Sequence, residues 1–580
     1  MSRSTQNDGT AGGWGARRAL TPGLTVLLLL LLFIPFCNKA FHIDDPAFMN
    51  MARMIGWNPL QALPVDYDYV GKVITQLLPY EITHPLLVPY FIKLVVALFG
   101  ESEIPLHLAF LLFPILAGIS LVRILRLFIA DGRDLALPVT LLFFSMPAVL
   151  VNGQNIMTDM PTLAFLLCGM ASYGDWFASG SRRSCYAGGV ALTLAVFCSY
   201  QMLAFVPLIG GYALCRRRVD RHLMLSLALP VALLAAWLLA IYLRYDIFPL
   251  LKSRIGDSDA SIGQEISKGL RGRNLRDKSL ATIAFFGASL LWALPLHHLL
   301  CRTLVWFLTG LGILAPLCWM LTTGLVDYSP LQRGGVAFFL SLGGMAVATF
   351  VRIIRQRRRA GERVGEQLFL FCWVLLVLAY VMLLFPFGSA RYLMPALPPA
   401  LLLLAGERSW ADGMRMRPAL ARIMLCGSLL FGLAAATADY RFAGVYREFA
   451  GEMQRLRAEN NNRLDVWYIG EWGMNYYLRK AGARYLHATS NAPQLGDYLV
   501  IPEMPQLWGP SEELRHRIEA VTAWNYSSPL PMRLFNRSSH AGFYAHFWGM
   551  LPFAFSREPD EVFTILRVVQ DSTDMMPQGK

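Results

Sequence analysis

The sequence predicts a polytopic α-helical membrane protein of about 13 transmembrane helices, followed by a small C-terminal α/β soluble domain. Three observations predict it. Hydrophobic residues make up 55% of the 580-residue chain and charged residues only 16%, with a mean hydropathy of +0.43. Apolar runs close to the length needed to cross a bilayer core recur from residue 19 to residue 437. Arginine gathers in the short stretches between these runs, and polarity rises sharply after residue 437.

The runs lie roughly at 19–37, 104–126, 134–151, 160–178, 186–200, 202–215, 223–243, 281–299, 303–323, 333–351, 366–386, 394–406 and 418–437. The first follows Arg17 and Arg18, as in a signal peptide, but no small-residue cleavage site comes after it. It reads as an uncleaved first span, with residues 1–18 a cytoplasmic N-terminus. With that end inside, Arg123, Arg126, Arg182, Arg183, Arg216–Arg218, Arg302, Arg352, Arg357–Arg359, Arg408 and Arg415 all fall on the inner side. The short outer loops carry only Arg333 and Arg391. That asymmetry follows the positive-inside rule. The net charge of +13 therefore speaks for membrane orientation rather than for a nucleic-acid partner.

Residues 85–100 decide the parity. They are apolar but hold Pro85, Pro89 and Lys93, and as a helix reach only about 24 Å. They are expected to lie in the outer interface without crossing, within a first outer loop (38–103) that holds interfacial helices. Residues 19–437 then form the membrane domain. The loop 244–280, basic through Lys252, Arg254, Lys268, Arg271, Arg273, Arg276 and Lys278, faces outside. Residues 438–580 form the extracytoplasmic domain, with strands expected near 464–469, 496–502 and 562–570 and a helix over 471–481. The nine cysteines sit in or beside apolar runs and fit neither a disulfide framework nor a zinc site.

This topology brings four short stretches to one face. Asp44 and Asp45 follow the first span, Glu81 and His84-Pro85 open the interfacial helix, Asp159 heads a later span, and Arg391-Tyr392 ends an outer turn. Carboxylates at a bilayer edge are expensive to hold, so the pair and Asp159 are catalytic candidates. One can act as general base on an acceptor hydroxyl. Asp44 and Asp159 can also share a divalent cation (Mg, Mn or Zn) that neutralises a phosphate. For binding, Glu81, His84, Arg391 and Tyr392 are the candidates, with Arg391 able to clamp a phosphate beside an aromatic ring. Each stretch also has a plain structural reading: a helix cap for Thr158-Asp159, a snorkelling anchor for Arg391. Together they suit transfer of a group from a lipid-linked phosphate. A transporter or flippase of a lipid-linked anion is the alternative, although such proteins tend to place polar groups at the midplane, often with internal repeats. A non-catalytic receptor would have little need of Asp159 and Arg391 on the same face as Asp44.

Asp44-Asp45, His84-Pro85, Thr158-Asp159 and Arg391-Tyr392-Leu393-Met394-Pro395 resemble, in order and spacing, the motifs of the GT-C superfamily of integral-membrane glycosyltransferases. The likeness covers about residues 19–406 and is nearest to the branch of protein O-mannosyltransferases and the lipid A aminoarabinose transferase. It implies a GT-C-like fold and inverting transfer from a polyprenyl-phosphate sugar on the periplasmic or lumenal face, to an acceptor glycan, lipid or protein. It further implies that Asp44 is the catalytic carboxylate nearest the acceptor, that Asp159 is the second catalytic or metal-associated carboxylate, and that His84 stands near the donor phosphate. A bacterial inner membrane is the expected setting, with membrane lipids as further partners. Ala47-Phe48 stand where the aminoarabinose enzyme has Arg-Tyr, and Asp45 where Glu is common.

Overall fold

The computed structural model describes residues 11–82, 84–129, 132–249, 272–459, 465–488 and 491–569. All thirteen expected segments fall on helices. Among the described residues, six helices are long and apolar enough to cross a membrane: Glu103–Phe128, Arg221–Tyr245, Leu304–Leu321, Pro330–Arg359, Gly365–Leu383 and Pro418–Glu459. Asn274–Ser289 and Ala293–Leu300, bent by 55° at their junction, make a seventh if taken as one span. Of the remaining expected segments, 160–178 lies on the unbroken 21-residue helix Asp159–Ser179, and others are shorter or interrupted. Pro147 starts a new helix and splits 134–151 into Gly132–Phe144 and Pro147–Asn152, because proline cannot continue the hydrogen-bond ladder of the turn before it. Tyr200–Cys215 and Arg391–Ala405 are likewise short apolar helices.

Helices pack closely where a glycine allows it. A Cβ on Gly287 would stand 2.1 Å from the carbonyl oxygen of Phe339 on the helix Pro330–Arg359, so only a residue without a side chain permits that approach.

The region between the first helix α1 (Ala11–Phe33) and the span Glu103–Phe128 contains α2 (Asp45–Met54), a β-hairpin and α3 (Leu87–Phe99). α2 starts at Asp45-Pro46, with proline in the first turn and an acidic side chain near the positive end of the helix. α3 has 13 residues, about 20 Å of helix, and ends at Gly100. It is too short to cross a core of about 30 Å. The hairpin was not foreseen in a loop read as interfacial helices. β1 (Val65–Tyr69) pairs antiparallel with β2 (Lys72–Leu77) through the two-residue turn Val70-Gly71, both left-handed (φ 49° and 72°).

The expected boundary at 437/438 falls inside the helix Pro418–Glu459, which runs 42 residues from the bundle into the C-terminal region. Beyond it lies a five-stranded mixed sheet in the order β4-β3-β5-β7-β6. Its strands are β3 (Val466–Tyr468), β4 (Arg484–Tyr485), β5 (Tyr498–Pro502), β6 (Ile518–Tyr526) and β7 (Glu561–Val568). β3 runs parallel to β4 and β5; β7 runs antiparallel to β5 and β6. The helix Trp472–Lys480 sits where the sequence places it.

Within the basic stretch 244–280, Lys252, Arg254, Lys268 and Arg271 lie outside the described residues. Arg276 and Lys278 belong to the helix Gly272–Ser289 rather than to a loop. Lys278 is buried and donates to the Phe385 carbonyl at 2.6 Å.

Candidate active site

The turn before α2 sets the position of Asp44. Its carbonyl accepts from the N–H groups of Ala47 (2.9 Å) and Phe48 (3.1 Å), which caps the helix and fixes the residue. Ile43, just before it, is left-handed (φ 50°), a sparsely populated state for a β-branched residue that has to be held by its surroundings. The Asp44 side chain is 36% exposed, and its Oδ2 receives Arg391 Nη2 at 2.6 Å.

Arg391 opens the short turn Arg391–Ala396 and is itself buried. Nη2 also donates to the Tyr392 hydroxyl (3.1 Å), Nη1 reaches Met157 Sδ (3.0 Å), and the guanidinium lies 5.0 Å from the Tyr392 ring centre. Tyr392 in turn stacks on Phe385 at 3.9 Å. The Nε–H of Arg391 is buried without an acceptor among the described residues. An unpaired buried donor costs roughly 1–3 kcal/mol.

Asp44, His84, Asp159, Arg391 and Tyr392 line one cavity of about 290 Å³. Asp159 heads the helix Asp159–Ser179 and interacts electrostatically with Arg391. The exposed His84 ring tilts over Phe48 at 5.4 Å. Glu81 is placed differently: it is buried, and Oε2 accepts from the Leu78 N–H (2.9 Å), closing a local cap.

Asp45 is also turned away from solvent. It is fully buried and accepts from the His42 N–H (3.0 Å) and the Ile156 N–H (2.8 Å), tying the Asp44 turn to the segment that leads into Asp159. Burial pushes its carboxyl up to about 7, against the pull of Lys39 and those two N–H groups. Beneath it lies a network that sequence reasoning missed. Lys39 donates to Asp439 and to Asn155, and Tyr544 donates to the second Asp439 oxygen (2.9 Å). One signal was present in the sequence: an aspartate within the apolar helix Pro418–Glu459 calls for a partner.

A second, larger cavity of about 400 Å³ also includes Asp44. It lies between α2, the hairpin and the helix Trp472–Lys480 of the C-terminal domain. Glu471 fastens this arrangement by accepting from the Val70 N–H (2.8 Å) and the Tyr485 hydroxyl (2.6 Å).

For a cation shared by Asp44 and Asp159 the fit is poor. Asp44 faces a guanidinium, and neither residue joins a third ligand. Among the described residues, the side chains close enough to share an ion are His297, Cys301 and Glu407. Positive charge at Asp44 comes from Arg391.

Comparison with known proteins bears on the same residues. Residues 83–243 match the family described as dolichyl-phosphate-mannose-protein mannosyltransferase. The resemblance read from the motifs is thereby met over that stretch, which holds His84, Pro85 and Asp159, while Asp44 and Arg391 lie outside it. No curated protein matches the sequence. Three solved structures are similar over much of the chain. ArnT from Cupriavidus metallidurans, bound to undecaprenyl phosphate, is 15% identical over 85% of this chain and 93% of its own, with a TM-score of 0.40. The oligosaccharyltransferase AglB from Archaeoglobus fulgidus is 12% identical over 85% and 70%, with a TM-score of 0.46. The arabinofuranosyltransferase AftD from Mycobacteria is 13% identical over 96% and 40%, with a TM-score of 0.37.

Proposed function

We propose that the chain is an inverting glycosyltransferase that moves a sugar from a polyprenyl-phosphate donor to an acceptor hydroxyl at the outer face of the membrane. The observation that carries this reading is the place of Asp44, a half-exposed carboxylate in the wall of both cavities. The smaller cavity has the chemistry of a donor site: the Arg391 guanidinium in its wall offers a phosphate a charged partner beside Tyr392. The family matched by residues 83–243 carries a lipid-phosphate sugar in its description.

In this mechanism Asp44 takes the proton of the acceptor hydroxyl as its oxygen attacks the anomeric carbon. The new bond forms on the face opposite the phosphate, which leaves with the electron pair of the broken carbon–oxygen bond. Arg391 meets the charge that develops on the departing phosphate. Asp159 adds a second carboxylate to the donor cavity, and His84 offers a hydrogen bond to phosphate or sugar. Asp45 holds the turn that presents Asp44.

Asp44→Asn tests the proposal. It keeps the backbone cap and removes the base. Transfer of sugar from a polyprenyl-phosphate donor should fall by about 10²- to 10⁴-fold, with the protein still folded and inserted in the membrane. Wild-type turnover in that variant would overturn the mechanism.

A further inference from the structure

The larger cavity carries an inference about the acceptor, and it rests on the transferase reading above. Its wall combines carboxylates with aromatic rings. Asp66, Asp68, Glu101 and Glu471 join Asp44, and Tyr67, Tyr69, Trp472 and Tyr476 supply the rings. Three cations also line it, but each is engaged by the wall itself. Arg53 pairs with Glu101 at 2.6 Å, Arg479 pairs with Asp68, and Lys480 lies 5.7 Å from the Tyr476 ring centre. The carboxylates are engaged as well, Asp68 and Glu101 in those pairs, Glu471 by the Val70 N–H and the Tyr485 hydroxyl and Asp44 by Arg391, but with five carboxylates to three cations the wall still holds more acid than base. A phosphate- or carboxylate-bearing acceptor meets this excess of carboxylates, and it reaches Arg53 or Arg479 only by breaking an ion pair.

Hydroxyl-rich neutral molecules suit it better. Carboxylates accept hydrogen bonds from adjacent hydroxyls, and these bonds are strengthened by the negative charge. Tyr67 and Tyr69, stacked at 6.0 Å, offer an apolar surface for the C–H face of a sugar ring. About 400 Å³ is within the range of small-ligand sites and holds one or two sugar rings. Asp44 at the edge of this cavity stands where an acceptor hydroxyl has to be deprotonated.

We infer that the larger cavity binds the acceptor as the terminus of a neutral saccharide, held by the hairpin residues Asp66 and Tyr67 on one side and by the C-terminal domain at Trp472 on the other. The full-length protein in nanodiscs is the material for the test, and binding rather than turnover is the readout. Saturation-transfer NMR with a panel of neutral methyl hexosides, pentosides and their short oligomers should give signals from ring protons. Those signals should fall at least tenfold in Tyr67→Ala and in Asp66→Asn. Binding of undecaprenyl phosphate should stay unchanged in both variants and be lost in Arg391→Ala. Two variants on the hairpin guard against local misfolding, which would also abolish its protection from protease.

If no neutral saccharide binds, or if sugar phosphates bind as tightly, the acceptor inference falls while the donor reading stands on the lipid-phosphate result. Saccharide binding that depends on Tyr67, with no lipid-phosphate binding at all, leaves the cavity assignment in place and removes the transferase reading instead.

Discussion

At the scale of single residues, neighbouring side chains divide the work. Asp44 is half-exposed and faces Arg391, whereas Asp45 is buried on backbone N–H groups. Replacing Asp45 with alanine leaves two buried N–H donors unpaired, at roughly 1–3 kcal/mol each. Asp45→Ala should therefore lower the unfolding temperature. Arg391→Lys keeps the charge but loses the fork that reaches Asp44, Tyr392 and Met157 together. It should weaken undecaprenyl-phosphate binding about tenfold or more, seen in a titration, while the fold survives. The Lys39–Asp439 pair makes a sharper contrast. Losing one partner leaves a bare buried charge, at about 3–5 kcal/mol, so Lys39→Met or Asp439→Leu alone should destabilise strongly. The double variant should recover most of the loss in thermal unfolding. Asp44, His84, Asp159 and Arg391 were legible in the sequence because each sits in a short, odd stretch at the edge of an apolar run. The Lys39–Asp439 pairing was not, since its members are 400 residues apart and only the fold brings them together.

At the scale of elements, the hairpin matters most. A Cβ on Gly71 would lie 2.7 Å from the Trp508 ring, and the residue is left-handed. Gly71 N–H donates to the Tyr485 hydroxyl (3.0 Å), and its carbonyl accepts from Ala488 (2.7 Å). Gly71→Val combines a clash with a backbone state that disfavours branched side chains by about 1–2 kcal/mol. The hairpin should then undock, opening it to protease and lowering saccharide affinity, with lipid-phosphate binding kept. Its strand signal was visible as the alternation Val65-Asp66-Tyr67-Asp68-Tyr69, which a reading centred on apolar runs passes over. The C-terminal strands were more legible, because Val466–Tyr468 and Tyr498–Pro502 are short, continuous apolar runs. β6 was missed because most of its side chains are exposed and its apolar residues do not alternate cleanly with polar ones.

At the scale of the whole molecule, buried carboxyls set a pH response. Burial raises Asp45 and Glu471 to about 7 and Glu561 to about 8. Each binds its proton more tightly folded than unfolded, where an ordinary carboxyl titrates near 4. The folded state therefore holds more protons between about pH 4 and 8, and stability falls as pH rises through that window. Thermal unfolding should come several degrees lower at pH 8.5 than at pH 5.5. Glu561→Gln should flatten the upper part of that slope, and an unchanged slope would show that these groups do not set it. The helical membrane architecture was legible at this scale from hydropathy alone. The number of full spans was not, since composition cannot tell an unbroken helix from two short ones meeting at a proline.

The contact between Val70 and Glu471 joins residues 401 positions apart, and it has a consequence for biosynthesis. At ribosomal rates of about 5–20 residues per second, the hairpin leaves the ribosome roughly 20–80 s before its docking partner exists. Until then the larger cavity beside Asp44 lacks the wall that Glu471, Trp472, Asn475, Tyr476, Arg479 and Lys480 supply. A nascent or truncated chain that stops before Glu471 lacks the Val70–Glu471 and Gly71–Tyr485 hydrogen bonds, so its hairpin has nothing to dock against.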